Sequence, residues 1–468
     1  MNAIPLTALR VGSADRVFKK ILQLVFLLAV VGFFLKLGSD TLEYPELRLV
    51  YLSFLGVNFL SLTPRLKVSD YWQSPTVVFF LVFFSFELVR FSWAGWQIWG
   101  RGLEDSVMLP LHRYLASPVT WLIYLGFFLL SFSLFGGRTE SRRLLKTLMG
   151  SAFLLAVFAI PPLLIKAHTG YVAANGQGGF FPPFFYFHPL VGKYFLSRYA
   201  HPNYVGDIVA MGFFPALGTF FYSLRSLRDQ RVPLISLVLP GLFTATTGLA
   251  IILFFSRATI VCFAAAFLLF LLATLIKYPS RIQLLFALLA FALVLAFLLW
   301  AGNIQKTVAE VETLKKETDT TQQNTTGSLN REGTRRSLGI YQTFTTWGVG
   351  TRGYESVSEL YSSDRTKPSG MAQFKAFNHY FQTLAEEGTG AFLYFFFLLS
   401  YFLESGWRPW KAKSRFQFMA GLSLVTPVLL ILAHAAVAPG MDYFAMAAPV
   451  YILMGATLAI LQGNFARA

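Results

Sequence analysis

Apolar runs of about twenty residues recur along this chain and restrict it to few folds. Because roughly 20 helical residues cross the hydrocarbon layer of a bilayer, each run predicts a membrane-spanning helix. Hydrophobic residues make up 55% of the 468 residues, and charged residues only 13%. Trp and Tyr concentrate near the ends of the runs, as in interfacial belts. The sequence therefore predicts an all-α polytopic membrane protein, with residues 1–468 forming a single membrane domain.

The distribution of positive charge predicts how this domain is oriented. Twelve spans would place both termini on one side of the membrane, and the short loops on that side are basic and contain few acids, with Arg138, Arg142, Arg225, Arg408 and Arg415 among their basic residues. The positive-inside rule assigns that side, and both termini, to the cytoplasm. Orientation in the membrane, rather than nucleic-acid binding, then accounts for the net charge of +16. The predicted spans are 21–37, 49–63, 76–94, 118–136, 147–166, 203–223, 233–254, 258–276, 282–301, 389–404, 416–437 and 441–461.

Two long loops are predicted on the opposite, periplasmic side. The first, residues 167–202, is dense in aromatic residues, which predicts backbone in the interface or dipping into the bilayer. The second, residues 302–387, is the only loop long enough to form a small layer with short helices. Its polar stretch at 318–330 predicts a flexible linker, and Thr334 is expected to precede a helix. The residues predicted to share one face of that helix are Ile340, Tyr341, Phe344 and Trp347.

Two arginines lie where predicted spans begin. Arg257, in FFSRAT, indicates either an anion site at membrane depth or an arginine that snorkels to the interface. Arg198, in FLSRYAHPN, is either a second anion ligand or an ordinary interfacial arginine. Nearby, His201 is a further candidate donor or a packing residue, and Asn203 is expected in the turn that leads into the span. Because a guanidinium fork matches phosphate oxygens, the pair favours a phosphate-binding site.

A histidine, His379, stands just before the tenth predicted span, in FNHYFQTLAEEG. On a helix it would share one face with Gln382 and Glu386. A carboxylate on that face can orient an imidazole and raise its basicity, which favours proton transfer. The alternative is a polar interfacial histidine without a chemical role.

A group of arginines in the second loop is the last candidate site. Arg331, Arg335 and Arg336 either bind a diphosphate or an acidic sugar, or form a solvated basic face. The histidines are scattered without metal-ligand spacing, and the chain contains neither a phosphate loop nor a serine-nucleophile motif. We therefore predict no metal site and no cofactor.

Four of these segments, in this order, resemble the O-antigen ligase and polymerase superfamily of bacterial envelopes. They are SRYAHPN, SRAT, a helix ending in GVGTRG, and FNHYFQTLAEEGTGAF, and the resemblance covers roughly residues 160–400. It implies a GT-C-like bundle in the bacterial inner membrane with a periplasmic active site. The implied donor is a glycan on undecaprenyl diphosphate. The implied acceptor is the lipid A core for a ligase, or a second lipid-linked repeat for a polymerase. The family's arginines carry over to Arg198 and Arg257, and its histidine to His379.

The sequence and the resemblance together predict a metal-independent, inverting glycosyltransferase of the O-antigen ligase type. The two arginines would stabilise the leaving diphosphate. His379, oriented by Glu386, would either bind the diphosphate or take the acceptor's proton, and the sequence leaves this choice open. Polymerase activity is the alternative, because the stretch between Arg257 and His379 is long for a ligase. A lipid-linked oligosaccharide transporter is the candidate from another class, although ionisable residues gathered on one side favour an enzyme.

Overall fold

The described part of the structure, a computed structural model, is entirely helical. It comprises residues 20–31, 56, 71–100, 111–169, 202–228, 233–253, 257–279, 326–351, 353–361, 376, 378–437, 441 and 444–462. The helices within these residues are α1 (Lys20–Val31), α2 (Pro75–Gly100), α3 (Leu111–Leu134), α4 (Arg138–Thr169), α5 (Pro202–Arg228), α6 (Ile235–Leu253), α7 (Arg257–Lys277), α8 (Thr326–Thr343), α9 (Gly353–Val357), α10 (His379–Glu387), α11 (Gly390–Trp407), α12 (Arg415–His434) and α13 (Phe444–Gln462). Short 3-10 turns follow α9 and α11.

The all-helical prediction is confirmed for these residues, and helices α2–α7 and α11–α13 each cover a predicted span. Within the described residues, four segments are long and apolar enough to cross a membrane: Pro75–Trp93, Gly206–Ser226, Gly390–Lys411 and Arg415–His434. The total of twelve spans stays a prediction, since the predicted span 282–301 lies outside the described residues, as does most of the span 49–63.

The long helices pack into one bundle with a continuous apolar core. Helix α12 lies against α5, α7 and α13; α13 packs on α3, α2 on α3 and α11, and α4 on α5 and α6. Small residues allow the closest approaches, as is usual where helices associate in a membrane. A Cβ on Gly212 of α5 would lie 2.1 Å from the Cβ of Ala152 of α4. A Cβ on Gly455 of α13 would lie 2.1 Å from the carbonyl oxygen of Phe128 of α3.

Several predicted cytoplasmic arginines meet at one end of the bundle, which we call the basic end. Arg138 and Arg142 of α4 lie over the ring of Phe416, 5.4 and 5.2 Å from its centroid. Arg225 at the end of α5 and Arg415 at the start of α12 lie over the ring of Tyr278, just past α7, at 5.9 and 5.3 Å. These basic segments therefore lie on one side of the bundle, as the charge pattern predicts.

A second, smaller core lies beside the bundle, within the predicted loop 302–387. Helices α8, α9 and α10 enclose it, and its buried members are Ile340, Tyr354, Ala376 and Ala385. The described residues of this loop are thus helical, and they share a small apolar core of their own.

The expected bounds of α8 were wrong. The helix begins at Thr326, so the last five residues of the predicted linker 318–330 are helical, and Thr334 lies inside the helix rather than before it. Helix α8 as a whole packs against α10, and such tertiary packing commonly outweighs weak local helix propensity. The helix ends at Thr343, so Phe344 lies beyond it and is exposed.

Candidate functional site

Helix α10 carries His379 at its first position, and its start is fixed against the end of α12. The side chain of Asn378 caps the helix, accepting from two backbone N–H groups at 3.0 and 3.2 Å. The same side chain donates to the carbonyl oxygen of Ala436 at 2.7 Å. The backbone N–H of His379 donates to the carbonyl oxygen of Ala435 at 2.9 Å. Four hydrogen bonds thus set the position of His379.

Tyr380 strengthens the same junction. Its hydroxyl donates to the carbonyl oxygen of Leu432 of α12 at 2.5 Å. Burial raises the pKa of this phenol to about 12, so it remains a proton donor at neutral pH. The hydroxyl of Thr383 donates to the carbonyl oxygen of His379 at 2.8 Å, which holds the first turn of α10.

The imidazole of His379 points into the bundle. It is 6% exposed, and its Nε2 lies 3.2 Å from the hydroxyl oxygen of Tyr394 of α11. The hydroxyl of Tyr451 of α13 donates to the same Tyr394 oxygen at 3.2 Å. A chain of one imidazole and two phenols therefore runs from the start of α10 to α13.

Glu386 lies at the far end of α10, on the predicted face. His379, Gln382 and Glu386 are all buried, and the amide of Gln382 donates to Glu386 Oε1 at 3.1 Å. The Gln382 Oε1 accepts from the backbone N–H of Ala376 at 3.1 Å. Burial raises the pKa of Tyr354, and the negative charge of Glu386 adds to this shift, so Glu386 also lies near α9. Orientation of His379 by Glu386 stays a prediction.

The arginines of α8 differ in their exposure. Arg336 is fully buried, and its Nε donates to Glu332 Oε1 at 2.9 Å. Arg335 is 52% exposed, donates to both carboxylate oxygens of Glu332 at 3.1 and 3.0 Å, and reaches the carbonyl oxygen of Tyr361 at 2.7 Å. Arg331 is exposed. Ligand contact in the present conformation is thus easier for Arg331 and Arg335 than for Arg336, whose burial favours a role within the small layer.

The other predicted site residues are described in part or not at all. Arg198 and His201 lie outside the described residues, and for Asn203 and Arg257 only the helical backbone is described.

Helices α5 and α7 both end at the basic end, so their starts, which carry Asn203 and Arg257, lie toward the opposite end. Helix α12 begins at the basic end, and its far end holds α10. The backbones of Asn203, Arg257 and His379 therefore lie toward one end of the bundle, which we call the site end.

A buried acid–imidazole pair at the site end was not predicted from the sequence. His434 Nδ1 lies 2.7 Å from Asp207 Oδ2, and each side chain is 1% exposed. The pair joins α5 to the last turn of α12, one residue before the carbonyl that receives the His379 N–H. The sequence feature that could have pointed to this pair is Asp207, since a carboxylate within an apolar run needs a partner.

A buried arginine in α2, Arg90, was also missed. Its guanidinium lies 2.5 Å from Glu87 Oε2 and 2.5 Å from Glu387 Oε2, and the three side chains are at most 5% exposed. It also donates to the carbonyl oxygens of Glu386 at 2.8 Å and Trp347 at 3.1 Å. Arg90 thus fixes the end of α10 to the bundle. Two charges within the apolar run 76–94 were the signal that could have identified this network.

Two glycines bring the GVGTRG segment into contact with the end of α10. Gly348 has φ +64 and Gly388 has φ +57, a region that favours glycine. A Cβ on Gly348 would lie 2.2 Å from the carbonyl oxygen of Glu386. Backbone hydrogen bonds from Val349 to Ala385 at 3.1 Å and from residue 350 to Glu386 at 2.8 Å close the contact. The glycines are thus required by backbone packing.

The described residues contain no group of three or more His, Cys, Asp or Glu side chains placed to hold a metal ion. The site end instead presents the imidazole of His379, the buried carboxylates that pair with Arg90 and His434, and the start of α7, which carries Arg257. Such groups suit the binding of an anion and the movement of a proton.

Comparison with known proteins agrees with this chemistry. Residues 242–396 match the family model described as O-antigen ligase, a stretch that includes Arg257, the arginines of α8, the glycine contact and His379. Arg198, His201 and Asn203 lie outside the matched stretch. A search of curated proteins found no match to the chain. The apolar helices and this match together indicate an integral membrane protein that resembles the O-antigen ligase superfamily over residues 242–396.

Proposed function

We propose that this protein is a glycosyltransferase that moves a glycan from undecaprenyl diphosphate to the lipid A core, as an O-antigen ligase. The observation that supports this most is the position of His379, held by four hydrogen bonds at the end of the bundle toward which α5 and α7 begin. In the proposed orientation the basic end faces the cytoplasm and the site end faces the periplasm of a bacterial inner membrane.

The proposed chemistry is a direct displacement. The acceptor oxygen attacks the anomeric carbon, the bond from that carbon to the diphosphate oxygen breaks, and the configuration inverts. Arg198 and Arg257 stabilise the charge that develops on the leaving diphosphate, which is a strong effect in a poorly hydrated site. His379 binds the diphosphate or takes the proton of the acceptor hydroxyl. Glu386, Arg331, Arg335, Arg336, His201 and Asn203 are the further residues that we propose for orientation and binding.

The test is a transfer assay in proteoliposomes with a glycan on undecaprenyl diphosphate and purified lipid A core. We expect wild-type protein to produce glycosylated lipid A core. Arg257→Lys should lose at least about tenfold in rate, because lysine keeps the charge and loses the fork. His379→Ala should lose nearly all activity. Wild-type rates in either variant, at equal amounts of folded protein, would remove that residue from the mechanism.

The same assay separates the competing functions. A longer lipid-linked glycan, formed without the lipid A core, would indicate a polymerase, which the long stretch between Arg257 and His379 allows. Movement of the lipid-linked glycan across the bilayer without covalent change would indicate a transporter. The backbones of Asn203, Arg257 and His379 lie toward one end of the bundle, which favours a one-sided enzyme over alternating access.

A further inference from the structure

We infer that the basic end binds the phosphate group of an anionic phospholipid at the point where Arg225, Tyr278 and Arg415 meet. We call this point the arginine corner; it joins the end of α5, the end of α7 and the start of α12. The inference goes beyond the proposed function and does not depend on it, because the arginine corner and His379 lie at opposite ends of the bundle.

The two arginines of the corner lie over the same aromatic ring. The guanidinium carbon atoms of Arg225 and Arg415 are 5.9 and 5.3 Å from the ring centroid of Tyr278. A third positive charge comes from Lys277, the neighbour of Tyr278 in the chain, whose ammonium group donates to the carbonyl oxygen of Trp410 at 2.6 Å. Three positive side chains, two of them over one ring, are thus grouped at the arginine corner.

Within the described residues, the two arginines of the corner have no acidic partner. Arg90, Arg336 and Arg408 each pair with a glutamate. In contrast, Arg225 Nη1 and Arg415 Nε are buried without a hydrogen-bond partner, although both residues as a whole are only half-buried. Positive charges held this close repel one another, and a bound anion relieves the repulsion.

The surroundings of the corner favour a phospholipid over a soluble anion. A guanidinium fork matches the oxygens of a phosphate group. Ile276, two residues before Tyr278, is 71% exposed, and Ile235 at the start of α6 is 63% exposed. Helix α6 starts shortly after α5 ends, so this apolar surface also lies at the basic end. Exposed apolar side chains of a membrane-spanning bundle contact acyl chains, which places lipid headgroups beside the two arginines.

Arg142 separates a defined binding site from general attraction between a basic surface and anionic lipid. It lies over the ring of Phe416 at 5.2 Å, much as Arg415 lies over Tyr278, but it is exposed. General attraction depends on the number of surface charges and predicts equal contributions from these two arginines. A site at the arginine corner predicts a contribution from Arg415 and not from Arg142.

The experiment is native mass spectrometry of the purified full-length protein, titrated with dioleoyl phosphatidylglycerol or with the zwitterionic dioleoyl phosphatidylcholine. For the wild type we expect Kd for the first bound phosphatidylglycerol to be at least about tenfold lower than Kd for phosphatidylcholine. Arg225→Gln and Arg415→Gln should each raise Kd for phosphatidylglycerol at least about fivefold, whereas Arg142→Gln should change it by less than about twofold. Kd for phosphatidylcholine should stay the same in all three variants.

Three results would overturn the inference. Equal affinity of the wild type for the two lipids would remove the anionic lipid as the ligand. An equal rise of Kd in Arg142→Gln and in the two corner variants would indicate general attraction without a site. Displacement of phosphatidylglycerol by equimolar soluble glycerol phosphate would mean that the corner binds free phosphate and not a lipid. If Arg415→Gln does not fold, the comparison of Arg225→Gln with Arg142→Gln decides.

Discussion

The two ends of the bundle use charge differently. At the basic end the side chains of Arg138 and Arg142 are exposed and lie over an aromatic ring. At the site end Arg90 is buried between two glutamates, and Asp207 is buried against His434. Exposed charges near a protein surface contribute little to stability, whereas breaking a buried pair costs several kcal/mol. The comparison indicates that buried charge pairs fix geometry at the site end, whereas Arg138 and Arg142 stay at the surface of the basic end, where we propose that they orient the chain.

One buried carboxylate lies at the basic end, and its partners give it a structural role. Glu404 of α11 accepts from the hydroxyls of Ser74 at 2.8 Å and Thr76 at 2.6 Å, at the start of α2, and it pairs with Arg408. A carboxylate is favourable at a helix start, where backbone N–H groups lack partners. Glu404 therefore joins α11 to α2.

The largest effect on stability is expected from Arg90→Ala, which tests whether the buried pairs of Arg90 stabilise the site end. In Arg90→Ala both Glu87 and Glu387 lose a buried partner, and we expect a loss of about 3–5 kcal/mol in the free energy of unfolding. Arg142→Ala at the basic end is the control, with an expected change within about 1 kcal/mol. Thermal unfolding in detergent measures both. Equal midpoints for the two variants would mean that the Arg90 pairs do not stabilise the site end.

A second variant tests the glycine contact that holds α10. Gly348→Ala places a Cβ 2.2 Å from a backbone oxygen at φ +64, so the segment must move, and we expect loss of transfer together with a lower midpoint. Gly350→Ala is matched to it, because Gly350 has φ +85 but nothing within 4 Å of the added Cβ. Its expected cost is only about 1–2 kcal/mol of backbone strain. Similar activity in the two variants would contradict a role for the close contact.

The smallest expected effect comes from Asp207→Asn. The amide keeps the shape and can still accept from His434 Nδ1, so only the charge is lost, and we expect a cost of about 1 kcal/mol. The exposed carboxylate of Glu355 provides the control as Glu355→Gln, which should leave the midpoint unchanged. A midpoint in Asp207→Asn equal to that of the control would show that the buried charge contributes nothing to the site end.

Local patterns predicted much of the fold and part of the site. Long apolar runs gave the helices α2–α7 and α11–α13, and helical spacing placed His379, Gln382 and Glu386 on one buried face. The long-range contacts could not be predicted in this way, since Arg90 donates to the backbone carbonyl oxygen of Glu386, 296 residues away in sequence, and Asp207 lies 227 residues from His434. Their pairing depends on how the helices pack, which no local spacing encodes.

At the start of α8, a local sequence pattern predicted the wrong structure. Polar Thr, Gln and Asn residues at 318–330 indicate a linker, yet the helix begins at Thr326, because contacts with α10 stabilise its turns. The role of the glycines in GVGTRG likewise required the structure, since the close contact of Gly348 with Glu386 joins two segments that lie apart in the chain.

The central proposal is that Arg198 and Arg257, together with His379 in the first of its two proposed roles, bind the diphosphate of the lipid-linked donor at the site end. Its most direct test is the binding of undecaprenyl diphosphate without a glycan to purified protein. The account predicts that Arg257→Lys and His379→Gln each raise Kd at least about tenfold, a difference of about 1.4 kcal/mol, while Arg142→Lys at the basic end leaves Kd unchanged. Wild-type affinity in Arg257→Lys and in His379→Gln would contradict it.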